Sequence, residues 1–243
     1  MNITAVIPAR YHSTRFEGKP LALIDGIPMV ERVYRQVEKS GKFAPGHILV
    51  ATDDLRIASV VSGFGGTAVM TAAHHQSGSE RIWEVLDTHD ADAVINIQGD
   101  EPVIPESLIS RLVDELQTEG CEVVTPACFN DSYDDFLSPH VVKVVTDTVS
   151  DALYFSRSPI PFTEKKAFTG FYQHMGMYGY SRRALGQFIR WPRSCLEGIE
   201  KLEQLRFIEN NIKIKVIISE YHTVGVDIPS DILKVEKLLK ELK

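Results

Sequence analysis

Through the first half of the chain, short apolar runs alternate with stretches whose apolar residues recur every three or four positions. Residues 3–7 (ITAVI) read as a buried strand bounded by Pro8. Residues 28–40 place Met29, Val33 and Val37 on one helical face, with Pro28 near the first turn and Gly41 past the end. Strands at 47–51, 67–70, 93–97 and 122–127 alternate with helices at 54–62, 80–89 and 105–117. This β-α order predicts an α/β fold with a mostly parallel sheet and helices on both faces. Gly63-Phe64-Gly65-Gly66 follows a helix and precedes a strand. That is the reverse of a dinucleotide fingerprint, so it reads as a helix end and turn.

From about residue 139 the spacing changes. HVVKVV, DALYFS and HMGMYGYS are strand-like runs close together, which predict antiparallel strands added to the parallel sheet. Helices follow at about 181–189 and 196–210, then a strand at 214–218 and a helix at 231–242. Residues 158–172, with two prolines and exposed charge, read as a mobile loop rather than a domain boundary.

With 243 residues the chain fits one large α/β domain, 1–243. Lys plus Arg is 26 and Asp plus Glu is 33, a net charge of -7 that argues against a nucleic-acid-coating surface. It leaves room for one phosphate ligand held by local cations. No run approaches the ~20 apolar residues of a membrane span, and no secretory signal is visible. Cys121, Cys128 and Cys195 form no Cys-x-x-Cys pair, as expected of a reduced cytoplasmic protein.

Five segments carry candidate chemistry. PARYHSTRFEGKP follows the first strand, on the rim where open α/β sheets bind ligands. Its Arg10, Arg15 and Lys19, with Ser13, Thr14 and Gly18, suit polyphosphate oxygens, although the loop is neither a Walker A nor a Gly-x-Gly-x-x-Gly. NIQGDEP puts Asp100 just past another strand end, as a Mg²⁺ carboxylate or an acidic turn, with Gln98 beside it. Ser77-Gly78-Ser79-Glu80-Arg81 matches a capping box, and Gly78 would let a ligand approach the backbone. In the second half, Arg157 ends an apolar strand and suits a carboxylate. His174 and Tyr178 share a strand face, and Glu200 and Gln204 share a helix face. Asp227, before the last helix, is either a cap neighbour or a second metal ligand.

In order, IPARYHSTRFEGKPL, SGSER, NIQGDEP, VKVV with ALYFSR, HMGMYGY, LEGIEKLEQLR and GVDIP resemble the 3-deoxy-D-manno-octulosonate (Kdo) cytidylyltransferases over nearly the whole chain. The resemblance implies a Rossmann-like, three-layer nucleotidyltransferase fold of the GT-A-like kind. Residues 1–130 and 211–243 would form its nucleotide-binding core, and about 139–210 its sugar-binding and dimerisation part. It implies that CTP and Kdo give CMP-Kdo and pyrophosphate with Mg²⁺, in the cytoplasm, by a homodimer serving lipopolysaccharide biosynthesis. Carried over by motif, Arg10, Arg15 and Lys19 meet the triphosphate, and Ser77, Gly78 and Arg81 lie near the cytidine. Asp100 and Asp227 hold the metal. Gln98, Arg157, His174, Tyr178, Glu200 and Gln204 form the sugar-acid pocket. Asp100, Asp227, Arg157 and Lys19 are the expected catalytic set. Glu17 stands where a proline is common and Ser79 where a threonine is usual. A cytidylyltransferase for 8-amino-Kdo or another sugar acid is the nearest alternative, and a non-catalytic nucleotide-binding module a more distant one.

Overall fold

In the computed structural model, which describes residues 1–13, 15–75, 77–222 and 224–241, the first alternation runs β1 (Ile3–Ala9), β2 (Leu23–Ile24), β3 (Ile27–Pro28), α1 (Met29–Lys39), β4 (Ile48–Thr52), α2 (Leu55–Gly63), β5 (Thr67–Met70), α3 (Gly78–Thr88), β6 (Ala93–Asn96) and α4 (Glu106–Leu116). Then come β7 (Val123–Asn130), α5 (Tyr133–Leu137), β8 (Lys143–Thr146), β9 (Ala152–Ser156), β10 (Phe171–His174), β11 (Tyr178–Ser181), α6 (Arg182–Arg190), α7 (Cys195–Glu200), α8 (Leu205–Glu209), β12 (Lys215–Ser219) and α9 (Asp231–Glu241). Thr14 lies outside the described residues. The chain forms two compact units, Met1–Val113 with Thr223–Lys243, and Asp114–His222. The strand at 122–127 and the segment 211–222, expected in the nucleotide-binding core, fall in the second unit.

In the first unit four parallel strands run in the order β5-β4-β1-β6. Ala5, Val6 and Ile7 of β1 are fully buried, which is why ITAVI is a continuous apolar run rather than an alternating one. On α1, Met29, Val30, Val33, Tyr34 and Val37 are all buried. Large apolar side chains of this kind contribute roughly 1.5–3 kcal/mol each. Asp54 caps α2 by accepting from the Arg56 N–H, and Ser77 caps α3 by accepting from the Glu80 N–H. Near the chain's end, Val226 and Val235 join Ile24, Met29 and Val103 in a buried cluster.

In the second unit β7 is the hub. β11 pairs antiparallel with Val123 and Val124, β10 pairs antiparallel with Ala127–Asn130, and β12 runs parallel along the strand. β8 pairs with β10, and β9 with β8, both antiparallel. The expected antiparallel additions are therefore present.

Two expected elements are interrupted. HMGMYGYS is two strands, because residues 175–177 leave the ladder and the Met177 N–H turns back onto the Met175 carbonyl at 2.8 Å. The helix expected at 196–210 breaks into α7 and α8, where Lys201 takes a left-handed conformation with φ 57°. His174 and Tyr178 therefore do not share one continuous strand, and Glu200 and Gln204 do not share one helix face. The β2–β3 hairpin and α5 are too short for periodicity to announce them. The 158–172 segment ends in β10 and includes a 3-10 turn at Lys165–Ala167.

Candidate active site

The loop after β1 is closed on itself. The Gly18 N–H donates to the Tyr11 carbonyl at 2.8 Å, and Gly18 takes φ 68°, with the Tyr11 ring only 3.2 Å from where a Cβ would sit. Only glycine meets both demands without strain. That turn starts the 3-10 segment Lys19–Leu21 and aims Lys19 inward.

Lys19 Nζ lies 2.7 Å from Asp100 Oδ2 and 3.8 Å from Asp227 Oδ1. The Lys19 side chain is 17% exposed, against 32% for Asp100 and 52% for Asp227, so the ammonium sits beneath the two carboxylates. Arg15 forks onto Asp227 through Nη1 at 3.1 Å and Nη2 at 3.0 Å. Two carboxylates far apart in sequence thus meet at one cation. The backbone explains the meeting: the Val226 N–H donates to the Asp100 carbonyl at 2.9 Å, and Val226 is wholly buried in the cluster behind it. Asp231 accepts from the backbone N–H groups of Asp227 and Ile228, both at 3.1 Å, which fixes the turn. Lys234 and these N–H groups hold the Asp231 carboxyl down at about 2.

Gly99 precedes Asp100 where the backbone passes Pro8. A Cβ there would stand 2.7 Å from the Pro8 carbonyl oxygen. Gln98 opens the same turn, its carbonyl accepting from the Glu101 N–H at 3.3 Å, so it belongs to the unit that carries Asp100.

Arg10 Nη2 donates to the Ser77 carbonyl at 3.2 Å, tying the loop to the start of α3. Burial, with the like charge of Arg81 adding to it, lowers the Arg10 pKa from its ordinary value, and the side chain stays cationic. Among the described residues only the Pro8 ring comes near the vacant Cβ position of Gly78, at 3.9 Å, which leaves open space over that backbone. Arg81 is the residue expected near the cytidine. It is fully buried, donates from Nη2 to Asp53 Oδ2 at 2.8 Å and from Nη1 to Thr71 Oγ1, and its Nε has no partner among the described residues. Asp53, which sequence reasoning missed, is what keeps this buried guanidinium paired.

In the second unit Arg157 is anchored through its backbone N–H, its Nε and one N–H of Nη1. Its N–H donates to Glu200 Oε2 at 2.9 Å, its Nε to the Glu200 carbonyl at 2.9 Å and its Nη1 to the Pro139 carbonyl at 3.0 Å. Its own carbonyl accepts from Lys143 Nζ at 2.8 Å, and that buried ammonium also reaches the Ser138 and Val141 carbonyls at 2.7 and 2.8 Å. Burial lowers the Lys143 pKa. The guanidinium has five N–H groups, and those on Nη2 together with the second on Nη1 make no protein bond among the described residues. Glu200 also accepts from Ser156 Oγ at 2.6 Å. Its carboxylate is engaged in setting the Arg157 strand end. Lys143 was missed, although a lysine inside the apolar run VVKVV was a visible signal.

His174 Nε2 lies 3.0 Å from Thr125 Oγ1, and its ring packs against Phe155 and Tyr178 with centroids 5.0 and 5.4 Å apart. Burial drives the imidazole down to about 3, so it is neutral near pH 7. The Tyr178 phenol is pushed well above its ordinary value by burial. Its hydroxyl and Gln204 Nε2 are buried polar atoms with no hydrogen-bond partner among the described residues. Orphans of this kind cost free energy unless a ligand or water completes them.

The donor set fits a divalent ion. Among the described residues no group of three or more His, Cys, Asp or Glu side chains converges as a metal cage. Two carboxylates that already share one ammonium suit an oxygen-seeking cation which takes its remaining ligands from phosphate and water.

Residues 4–214 match the sequence model of the Cytidylyltransferase family. The 3-deoxy-manno-octulosonate cytidylyltransferase of Thermodesulfovibrio yellowstonii is 47% identical over 248 residues, covering 96% of each chain. That of Geobacter metallireducens is 48% identical over 251 residues, covering 98% of each. A solved CMP:2-keto-3-deoxy-manno-octonic acid synthetase complexed with CTP superposes with a TM-score of 0.94 at 38% identity over the whole of both chains. A 4-diphosphocytidyl-2C-methyl-D-erythritol synthase from Anaerococcus prevotii, at 16% identity and a TM-score of 0.66, shares the fold. The chain is a nucleotidyltransferase of the cytidylyltransferase family, in the group of the 3-deoxy-manno-octulosonate cytidylyltransferases.

Proposed function

We propose that the protein joins CTP and 3-deoxy-D-manno-octulosonate to give CMP-Kdo and pyrophosphate. The observation that carries this reading is the meeting of Asp100 and Asp227 at Lys19, beside a loop that also bears Arg10 and Arg15. CTP brings a triphosphate, and the sugar acid brings a carboxylate. Two anions repel unless fixed cations offset them. Arg10, Arg15 and Lys19 bind the triphosphate, and the free Nη edge of Arg157 takes the carboxylate as a planar fork. The start of α3, with Ser77 and the open backbone of Gly78, receives the cytidine end. Tyr178 and Gln204 bring their orphaned polar atoms to the sugar hydroxyls, and Gln98 reads a further polar group. Arg81 acts from beneath by holding α3 against Asp53.

Asp100 and Asp227 would hold Mg²⁺, which when bound polarises phosphoryl oxygens and lowers the pKa of a hydroxyl. For that to happen Lys19 and Arg15 exchange their carboxylate partners for phosphate oxygens, so the residues that pair with Asp100 and Asp227 also neutralise the substrate. The sugar's 2-hydroxyl attacks the α-phosphorus in line. The new bond is oxygen to α-phosphorus, the bond from α-phosphorus to the bridging oxygen breaks so that pyrophosphate leaves, and the hydroxyl proton passes to solvent. Catalysis is then chiefly positioning and charge stabilisation by this chain's side chains.

A homodimer and a cytoplasmic location complete the reading. The free state of Cys121, Cys128 and Cys195 supports the location. Among the described residues no helix is long and apolar enough to cross a membrane. The test is pyrophosphate release by purified protein given CTP, Mg²⁺ and a panel of acidic 2-keto sugars. Release with the eight-carbon 3-deoxy acid is expected. Release with none of the panel would overturn the proposal.

A further inference from the structure

Thr125 is fully buried on β7 with the Tyr178 phenol close by, and among the described residues its hydroxyl oxygen has three hydrogen-bond neighbours. These are the Met177 carbonyl at 2.7 Å, the Met175 carbonyl at 3.3 Å and His174 Nε2 at 3.0 Å. A hydroxyl has one hydrogen and two lone pairs. Carbonyl oxygens only accept, so the hydrogen goes toward the two carbonyls, with the Met177 oxygen nearer. The oxygen then faces His174 Nε2 with a lone pair. Two lone pairs at 3.0 Å would repel, so Nε2 carries the proton and donates to Thr125. A neutral imidazole has one N–H, and Nδ1 is therefore a bare acceptor. Among the described residues Nδ1 makes no hydrogen bond. The ring cannot turn freely, because Phe155 packs edge-on at 5.0 Å and Tyr178 lies at 5.4 Å. Thr125 in turn is fixed by the 175–177 excursion that presents both carbonyls to it.

We propose that Thr125 is a positioning residue that fixes His174 as its Nε2–H tautomer, leaving Nδ1 as a neutral acceptor for a hydroxyl of the sugar acid. The acceptor half rests on the expectation, implied by the family resemblance, that His174 belongs to the sugar-acid pocket. The consequence is discrimination. A lone pair at Nδ1 accepts from a hydroxyl and repels a carboxylate oxygen, so the acid group is directed to Arg157 and a hydroxyl to His174. Charging the ring would remove that distinction, and burial opposes charging.

The tautomer is read directly by two-bond ¹H–¹⁵N correlation of the imidazole in the full-length protein. In the wild type the proton is expected on Nε2, with Nδ1 unprotonated. In Thr125→Val, of nearly the same shape, the tautomers should mix. KM for the sugar acid should rise about tenfold, the scale of one lost hydrogen bond, with KM for CTP within twofold. Thr125→Ser keeps the hydroxyl and should restore both readouts, which separates the effect from lost folding. A wild-type proton on Nδ1, or an unchanged tautomer in Thr125→Val, would overturn the proposal. A shifted tautomer with an unchanged KM for the sugar acid would sink the acceptor half and remove His174 from the sugar site, while the pyrophosphate-release test of the overall reaction would stand apart from it.

Discussion

Asp100 and Asp227 each take one side of the Lys19 ammonium, and the reading of the site begins from that contact. Removing a fixed charge from a phosphoryl-transfer site costs on the order of 10²–10³ in turnover, by analogy with oxyanion donors. Asp100→Ala should therefore lose at least that much pyrophosphate release. Its thermal midpoint should stay within a few degrees, because the side chain is partly exposed and leaves no cavity. Arg157→Ala should raise KM for the sugar acid roughly 10–100-fold, the value of a charge-assisted bond, with KM for CTP little changed. Equal losses for both substrates would remove Arg157 as a carboxylate clamp. At this scale much was legible. Arg10, Arg15, Lys19, Asp100 and Asp227 stand in short motifs whose residue types already suit phosphate and metal. The environments were not legible. Arg81 is wholly buried on Asp53, and the Glu200 carboxylate is engaged by Ser156 and Arg157, because partners from distant segments set both.

The elements place these side chains through two backbone approaches. One is Val226 on the Asp100 carbonyl, and the other is Gly99 against Pro8. Gly99→Ala puts a methyl 2.7 Å from the Pro8 oxygen, and the β1 and β6 ends must part. Overpacking of this kind costs about 1–3 kcal/mol. The variant should show a lowered urea midpoint and a raised KM for CTP together. A stable variant with weakened CTP binding would separate the packing role from the substrate role. The β-α alternation of the first unit could be read from apolar periodicity because β1, β4 and β6 are buried on both faces. The break between α7 and α8 could not, because it depends on Lys201 taking a left-handed conformation that its residue type does not announce. The split of HMGMYGYS has the same character: two carbonyls leave the ladder to meet Thr125, a residue some fifty positions earlier.

Across the whole molecule, stability is linked to pH through the half-buried His174. Its folded value of about 3 lies below the ordinary 6.5. As pH falls through 6.5 the unfolded chain takes up a proton that the folded chain refuses until near 3. The stabilisation is thus complete above 6.5 and is lost on the way down to about 3. One such group lowers stability by about 2 kcal/mol between pH 7 and pH 5. His174→Gln should flatten urea midpoints over that interval by a comparable amount, and identical slopes for the two proteins would mean that the ring titrates freely. The division into units at Val113 and His222 was hidden from the sequence, because β7 reads like one more strand of the parallel series. The most direct measurement is a double-mutant cycle in steady-state pyrophosphate release for Asp100→Asn, Asp227→Asn and the pair. If both carboxylates serve one cation beside the triphosphate, each single change removes at least a hundredfold and the pair removes scarcely more than the worse single. Losses that multiply across the pair would contradict a shared site.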